Sequence, residues 1–198
     1  ALIGGRGQAG SFIYDRSDNP RQPGSAIKPL AVYLLALKDG MTPNSIINDS
    51  PRRDSTSPTG YWPSNIYSIY YGNATMKKLI QVSANVAAVK TLESLGKTKA
   101  EAITRSLDYL EEMGFKHLVR REDDPVNNDE NLALALGGLT HGVTPLEMAS
   151  AYSGIANLGK QVKPTFITKI VDRNDSVIYE NMPEVFTMID ESNAYKMT

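Results

Sequence analysis

The chain has 198 residues, with 21 Lys and Arg against 22 Asp and Glu, two His and no Cys. The near-zero net charge offers no general electrostatic attraction to nucleic acid or to anionic lipid. The absence of Cys excludes thiolate metal sites, cysteine nucleophiles and disulfides. Hydrophobic and charged fractions of 41% and 22% are close to globular averages and exclude a disordered or fibrous chain. The length allows one domain.

Both ends of the sequence resemble interrupted elements. Residues 1–3 are apolar, as if a strand had already begun, and residues 192–198 look like the first turns of a helix. Natural termini are more often polar and loose, so we expect a domain that is incomplete at both ends. The longest apolar run, residues 30–37, has eight residues, far short of the ~20 that a membrane-spanning helix needs.

The N-terminal region predicts strands followed by a helix. Short strands are predicted at Ala1–Ile3 and Phe12–Tyr14, on either side of a glycine-rich segment. After a Pro-Gly turn signal, apolar residues at helical spacing predict a helix that begins near Ser25 and ends at Gly40. Pro29 fits this helix only in its first turn, because proline breaks later turns.

The rest of the chain predicts a long loop, several helices and a hairpin. Residues 41–74 are rich in Pro, Ser, Asn and Tyr and show no sustained period. This order of elements predicts an α+β fold over residues 1–198 as a single domain, with strands in 1–15, a helical lobe over about 25–160 and a hairpin at 166–179. The helices are predicted after Thr75, from the Ser83-Ala84-Asn85 junction to Leu95, after Thr98 and from Thr144 to Gly159, and the hairpin strands at Phe166–Val171 and Val177–Tyr179.

A serine and a lysine at helical spacing, Ser25 and Lys28, are the first candidates for chemistry. The S-x-x-K pattern occurs twice in the sequence, so its spelling alone decides nothing. In the second copy, Ser94 lies at a helix C-terminus, where a hydroxyl gains no anion-stabilising amides. Ser25 instead opens a helix, where backbone N–H groups converge beside its oxygen.

Lys28 follows Ser25 on the same helix face, one turn further along the chain. The positive end of the helix and partial burial both favour the neutral amine that a general base requires. A nucleophilic serine needs such a base. A surface helix start with a fully solvated lysine is the alternative interpretation, and these residues alone do not separate the two.

A second candidate is the junction Ser83-Ala84-Asn85, which interrupts two helical stretches. A hydroxyl at such a break can relay a proton, and an amide side chain can hold a peptide carbonyl. A polar linker that only caps the next helix explains the same residues. His117 and His141 lack ligand spacing, so neither a metal nor a cofactor is expected.

Taken together, these residues resemble the transpeptidase domain of class A, bifunctional penicillin-binding proteins. The resemblance implies the penicillin-binding and serine β-lactamase-like fold, an antiparallel sheet packed with helices plus a helical lobe, here in its N-terminal two-thirds. The resembling segments, in chain order, are A-L-I-G-G-R at 1–6, R-Q-P-G-S-A-I-K-P-L-A-V-Y at 21–33, Y-W-P-S-N at 61–65, S-A-N-V at 83–86 and T-P-L-E-M-A-S-A-Y at 144–152.

The resemblance implies a role for each candidate residue. Ser25 would be the acylated nucleophile, with its backbone N–H as half of the oxyanion hole, and Lys28 would be its base. Ser83 would shuttle protons, and Asn85 would bind the amide of the substrate. Trp62 would form a wall of the substrate groove, although a tryptophan that only anchors a long loop to the core is an equally good interpretation.

The family's third motif, Lys-Thr-Gly or Lys-Ser-Gly, is absent from all 198 residues. In the family it lies on a strand that grips the substrate carboxylate and supplies the other oxyanion amide. We therefore expect a downstream polypeptide segment or a second chain to supply it. The resemblance further implies a location at the bacterial cell membrane, on its extracytoplasmic face, with the anchor outside this chain.

The implied function is a serine D,D-transpeptidase that cross-links peptidoglycan stem peptides and is inhibited covalently by β-lactam antibiotics. Two alternatives remain open. A serine β-lactamase has the same fold, but no glutamate stands in an obvious water-activating motif here. A non-catalytic sensor or scaffold would keep Ser25 and only bind the ligand. Nucleic acid is not expected as a partner, given the net charge of -1.

Overall fold

The structure, a computed structural model, describes residues 5–7, 9–10 and 14–198. Its helices are joined by loops and by short 3₁₀ and π segments. The 3₁₀ turns are Gly24–Ile27, Ile66–Ser68 and Leu132–Leu136, and Pro29–Tyr33 is a π-helical turn. The α-helices are α1 Leu34–Lys38, α2 Met76–Gln81, α3 Asn85–Glu93, α4 Lys99–Glu112, α5 Pro145–Ala156 and α6 Glu191–Met197.

The described strands form three antiparallel pairs. β1 (Ile46–Asn48) pairs with β2 (Asn73–Thr75), with Ile47 opposite Ala74. β3 (Lys160–Val162) pairs with β6 (Val185–Thr187), and β4 (Lys169–Val171) with β5 (Val177–Glu180). The β4–β5 pair therefore lies within the connection between β3 and β6.

The core is built around residues 30–37, the apolar run that is too short to cross a membrane. Every residue in it is at most 4% exposed, because α3, α4 and the Leu132–Leu136 turn surround it. The side chain of Ser106 in α4 donates a hydrogen bond of 2.6 Å to the Ala31 carbonyl, inside this core. The segment that carries Lys28 is thus continuous with the best-packed part of the chain.

Most of the predicted helices and the hairpin are confirmed. Thr75, Thr98 and Thr144 each cap a helix with their side chain, and Thr144 and Glu147 form the predicted capping box. The pairing of β4 with β5 confirms the hairpin, and α6 confirms the helix predicted near residue 192.

The prediction of an uninterrupted loop at residues 41–74 is wrong, because β1 and most of β2 lie there. The β3–β6 pair was not predicted either. Each of these strands has only three residues, too few to show an alternating pattern, and each finds its partner far along the chain. Ala1–Ile3 and most of the predicted strand at 12–14 lie outside the described residues, and the predicted domain limits stay a prediction.

No helix in the described part of the chain has the length and apolar character needed to cross a membrane.

We expect Leu107→Ala in α4 to lower the free energy of unfolding by about 2–5 kcal/mol, because Leu107 is fully buried and the change leaves a cavity. Thr104→Ala, on the exposed face of the same helix, is the matched control and should change stability by less than about 0.5 kcal/mol. Chemical denaturation of both variants measures the difference, and equal losses would contradict this account of the core.

Candidate active site

Ser25 and Lys28 lie in and directly after a 3₁₀ turn, not in the regular α-helix that the sequence predicted. The Lys28 backbone N–H donates to the Ser25 carbonyl, which closes the turn. A 3₁₀ turn has three residues per turn, so side chains at i and i+3 eclipse each other. Pro29 has no N–H to continue a regular ladder, and a π turn follows before α1 begins.

Residues 137–143 pack against the segment that leads into the turn with Ser25. Arg21 and Val143 exchange two backbone hydrogen bonds of 2.9 Å. The Gln22 side chain pairs with both backbone groups of Leu139. Gly137 has a φ of +77°, and a Cβ there would lie 2.3 Å from the Gly24 carbonyl oxygen, so only glycine fits this close approach.

Ser83 ends α2 in a left-handed conformation with a φ of +54°. Its backbone N–H donates to the Ile80 carbonyl, and that of Ala84 donates to Leu79, which is the Schellman pattern of helix ends. Glycine is the usual residue at this position because a Cβ is strained there. Such strain persists where the surrounding structure enforces it, and here it accompanies a side-chain hydroxyl at the junction between α2 and α3.

The Lys28 ammonium joins the two sequence motifs. Its Nζ donates to the Ser83 carbonyl at 2.7 Å, to Ser83 Oγ at 3.1 Å and to Asn85 Oδ1 at 2.6 Å. These three acceptors use all three hydrogens of the ammonium. The structure therefore brings Lys28, Ser83 and Asn85 into direct contact, although 55 residues separate the first two.

Lys28 is only 3% exposed. Burial lowers the pKa of Lys28 to about 8, and the negative charge of Asp49 opposes this shift. A lysine with this pKa loses its proton far more readily than a solvated one. The interpretation of Lys28 as a solvated surface residue is therefore wrong.

Ser25 is exposed, and its hydroxyl makes no hydrogen bond to the residues that the structure describes. Ser94, in the other S-x-x-K pattern, instead donates its hydroxyl to the Thr91 carbonyl at 2.7 Å at the end of α3. Ser25 is thus open to solvent while lying one 3₁₀ turn before the buried Lys28.

Asn85 has a hydrogen-bond donor available for a ligand, whereas Trp62 is packed against the core. Asn85 Nδ2 donates to the Ser64 carbonyl at 2.8 Å, which leaves its second N–H hydrogen for a ligand. Trp62 is half-buried and packs against the core, and its backbone pairs with Arg52. This packing favours the interpretation of Trp62 as a loop anchor. No cluster of His, Cys, Asp or Glu suited to a metal ion occurs among the described residues.

Several residues that hold the site in place have no role predicted from the sequence, although Gln22 and Asn65 lie in segments that carry the resemblance. Gln22 and Gly137 orient the turn before Ser25, and Asp49 and Asn65 bind the start of α3. The sequence shows a Gly-Gly pair at 137–138, but nothing in it indicates that the backbone of Gly24 packs against Gly137. Asp49 and Asn65 lie in the segment that was predicted to be loop.

The chain is similar to known proteins over most of its length. The family model of the penicillin binding protein transpeptidase domain matches residues 6–198. The chain belongs to the penicillin-binding protein transpeptidase family. It is 39% identical over 186 residues to penicillin-binding protein 1A of Aquifex aeolicus, covering 93% of this chain and 23% of that protein. The chain thus spans about a quarter of the length of this relative.

Solved structures of penicillin-binding proteins share the fold. Penicillin-binding protein 1A from Haemophilus influenzae superposes with a TM-score of 0.68 at 29% identity, over 87% of this chain and 24% of that one. Penicillin-binding protein A from M. tuberculosis, in a penicillin G acyl-enzyme complex, superposes with a TM-score of 0.72 at 16% identity, over 92% and 43%. The expected α+β transpeptidase fold, present here as a partial domain, is confirmed.

We expect Ser83→Gly to be more stable than Ser83→Ala by about 1 kcal/mol, because only glycine relieves the left-handed strain at this position. Both variants lose the same hydroxyl, so the difference between their free energies of unfolding reports the backbone strain. Thermal or chemical denaturation measures it. An alanine variant as stable as the glycine variant would contradict the left-handed conformation of Ser83.

Proposed function

We propose that this chain carries the acylation half of a serine D,D-transpeptidase site that cross-links peptidoglycan stem peptides. The observation that carries the proposal is the buried Lys28 amine, held by Ser83 and Asn85 one turn after an exposed serine. Membership of the penicillin-binding protein family supports the same reaction class. The roles of the individual residues are those that the resemblance implies, and they are part of this proposal.

In the first step, neutral Lys28 Nζ takes the proton from the Ser25 hydroxyl. The freed oxygen attacks the carbonyl carbon of the D-Ala-D-Ala peptide bond, and the carbonyl oxygen becomes an oxyanion. When this intermediate collapses, the C–N bond breaks and the departing D-Ala amine takes up a proton. The product is an ester between Ser25 and the donor stem peptide.

We assign the transfer of that proton to Ser83. Its Oγ lies 3.1 Å from Lys28 Nζ, so a proton from the lysine can reach the leaving amine through the Ser83 hydroxyl. In the second step an amine of another stem peptide attacks the ester. The same groups then act in reverse, with Lys28 taking the excess proton of the amine and returning it to Ser25.

Substrate binding and charge stabilisation use neighbouring groups. We assign the second N–H hydrogen of Asn85 Nδ2 to a carbonyl of the stem peptide. The backbone N–H of Ser25 would be one oxyanion donor. A complete oxyanion hole needs a second donor, and we propose that a Lys-Thr-Gly or Lys-Ser-Gly segment outside these 198 residues supplies it, from a downstream part of the polypeptide or a second chain.

The same nucleophile accounts for covalent inhibition by β-lactam antibiotics, which would acylate Ser25 in place of the peptide. Penicillin-binding protein A from M. tuberculosis, with the same fold, forms such an acyl-enzyme with penicillin G. Peptidoglycan lies outside the cytoplasm, so we propose that the domain acts on the extracytoplasmic face of the cell membrane. A β-lactamase would release hydrolysed drug quickly, and a sensor would hold it without joining stem peptides.

We expect Ser25→Ala to abolish covalent labelling by a fluorescent penicillin in the intact protein. Ser94→Ala, in the other S-x-x-K pattern, should be labelled like the parent, because the Ser94 hydroxyl is engaged in a hydrogen bond to the Thr91 carbonyl at the end of α3. Peptide mapping of the labelled protein identifies the modified residue. A label on any serine other than Ser25 would overturn the assignment of the nucleophile.

We expect the acylation rate to rise with pH through a midpoint of about 8, because the neutral form of Lys28 is the base. The charged form predominates below that pH and cannot accept the Ser25 proton. Lys28→Ala should lower the rate by at least ~10²-fold and remove this pH dependence. Stopped-flow labelling between pH 6 and pH 10 provides the measurement. A variant that acylates at the parent rate would exclude Lys28 as the base.

A further inference from the structure

Helix α3, which begins with Asn85, is capped by side chains from another segment. Its own N-cap residue, Ala84, has no side chain that can accept a hydrogen bond. Asn65 Oδ1 accepts from the backbone N–H of Asn85 at 2.7 Å and of Val86 at 3.0 Å. Asp49 Oδ1 accepts from the next N–H, that of Ala87, at 3.0 Å. Two side chains thus satisfy the first three N–H groups of the helix.

Asp49 is a fully buried carboxylate. Its Oδ2 accepts from Asn65 Nδ2 at 2.6 Å and from the Tyr71 backbone N–H at 3.1 Å. No cation forms an ion pair with it among the described residues. Burying an unpaired charge is costly unless hydrogen bonds satisfy it. Three N–H donors and the positive end of α3 do so here.

Residues 64 and 65 hold Asn85 at two points. The Asn65 side chain binds its backbone N–H at 2.7 Å, and the Ser64 carbonyl accepts from Asn85 Nδ2 at 2.8 Å. The second contact fixes which amide atom faces Lys28, since Nδ2 is engaged on the opposite side. Asn85 Oδ1 is therefore the atom presented to Lys28 Nζ, at 2.6 Å.

We propose that Asp49, acting through Asn65, is a positioning residue that holds Asn85 and the start of α3 in the arrangement that orients the Lys28 amine. The proposal rests on the function proposed above and extends it beyond the residues of the S-x-x-K pattern and of the Ser83-Ala84-Asn85 junction. Asp49 touches neither Ser25 nor the reacting atoms. It acts by fixing the acceptor that Lys28 needs and by placing a negative charge behind the amine.

Asp49 also acts electrostatically on the groups around it. Its charge raises the pKa of Lys28, against the lowering caused by burial. It raises the pKa of the Tyr33 phenol as well, a group that burial already keeps neutral. Burial also lowers the pKa of Lys90 in α3. The charges of Asp49 and Glu93 raise that pKa, and the charge of Arg52 lowers it. Removing the charge of Asp49 should therefore lower the pKa of Lys28 below about 8.

The test is Asp49→Asn in the intact protein, with fluorescent penicillin as the probe. Asparagine keeps the size of the side chain but places an NH₂ against N–H donors on one of its two sides. We expect the acylation rate to fall at least ~10-fold, because a small displacement of a catalytic group is costly. We also expect the midpoint of the pH profile to move to lower pH.

Asp129→Asn is the matched control. Asp129 is equally buried, its carboxylate accepts from the Val119 and Thr140 backbone N–H groups, and the charge that acts on the pKa of Lys28 is that of Asp49 instead. This variant loses a buried charge and its backbone bonds in the same way. It should lose stability while keeping the midpoint of the parent pH profile, so the midpoint separates positioning from general damage.

If Asp49→Asn does not fold, the exchange Asp49→Asn/Asn65→Asp replaces it, because it restores a carboxylate beside α3 and a donor between the two residues. Partial recovery of the rate with folding supports the proposal. An unshifted midpoint in a folded variant that acylates at the parent rate overturns it, as does failure of both variants to fold, which would make the pair purely structural. Absence of Ser25 labelling in the parent would instead overturn the proposed function.

Discussion

The contact between the Lys28 amine and the Ser83–Asn85 junction is the interaction on which the rest of the site depends. It joins the end of a 3₁₀ turn to the start of α3, and it uses all three hydrogens of the ammonium. The three acceptors stabilise the amine as a cation, whereas its almost complete burial lowers its pKa to about 8 and so makes the neutral form accessible. The two opposing effects act on the same nitrogen.

Two further sets of contacts keep the partners of Lys28 in place. On one side, residues 137–143 pack so closely on the turn before Ser25 that a Cβ at Gly137 would collide with the Gly24 carbonyl. On the other side, Asp49 and Asn65 cap α3 and hold Asn85. Gly137, Asp49 and Asn65 lie outside the S-x-x-K pattern and the Ser83-Ala84-Asn85 junction, although Asn65 belongs to the Y-W-P-S-N segment. Each fixes the backbone from which a motif side chain projects.

The site concentrates features that are unfavourable elsewhere in a protein. Ser83 is in a left-handed conformation, Asp49 is a buried charge that forms no salt bridge with the described residues, and a π turn follows Lys28. Each costs free energy in isolation, and such features persist where the surrounding structure enforces them. Here the well-packed residues 30–37 and the short β1–β2 pair provide that support. These features cluster around one lysine, and family membership alone does not show this clustering.

Local sequence patterns were enough to predict several elements and the candidate residues. Capping threonines, helical spacing of apolar residues and turn signals act over a few positions, so they predicted α2, α4, α5 and the β4–β5 hairpin. The motifs also pointed to Ser25, Lys28, Ser83 and Asn85 as residues of interest. The burial of Lys28, the orientation of Asn85 toward it and the capping of α3 by Asp49 and Asn65 arise only in the folded chain, because each of these contacts joins residues at least 20 positions apart. The pKa of a lysine and the orientation of an amide depend on such distant neighbours, and no local pattern records them.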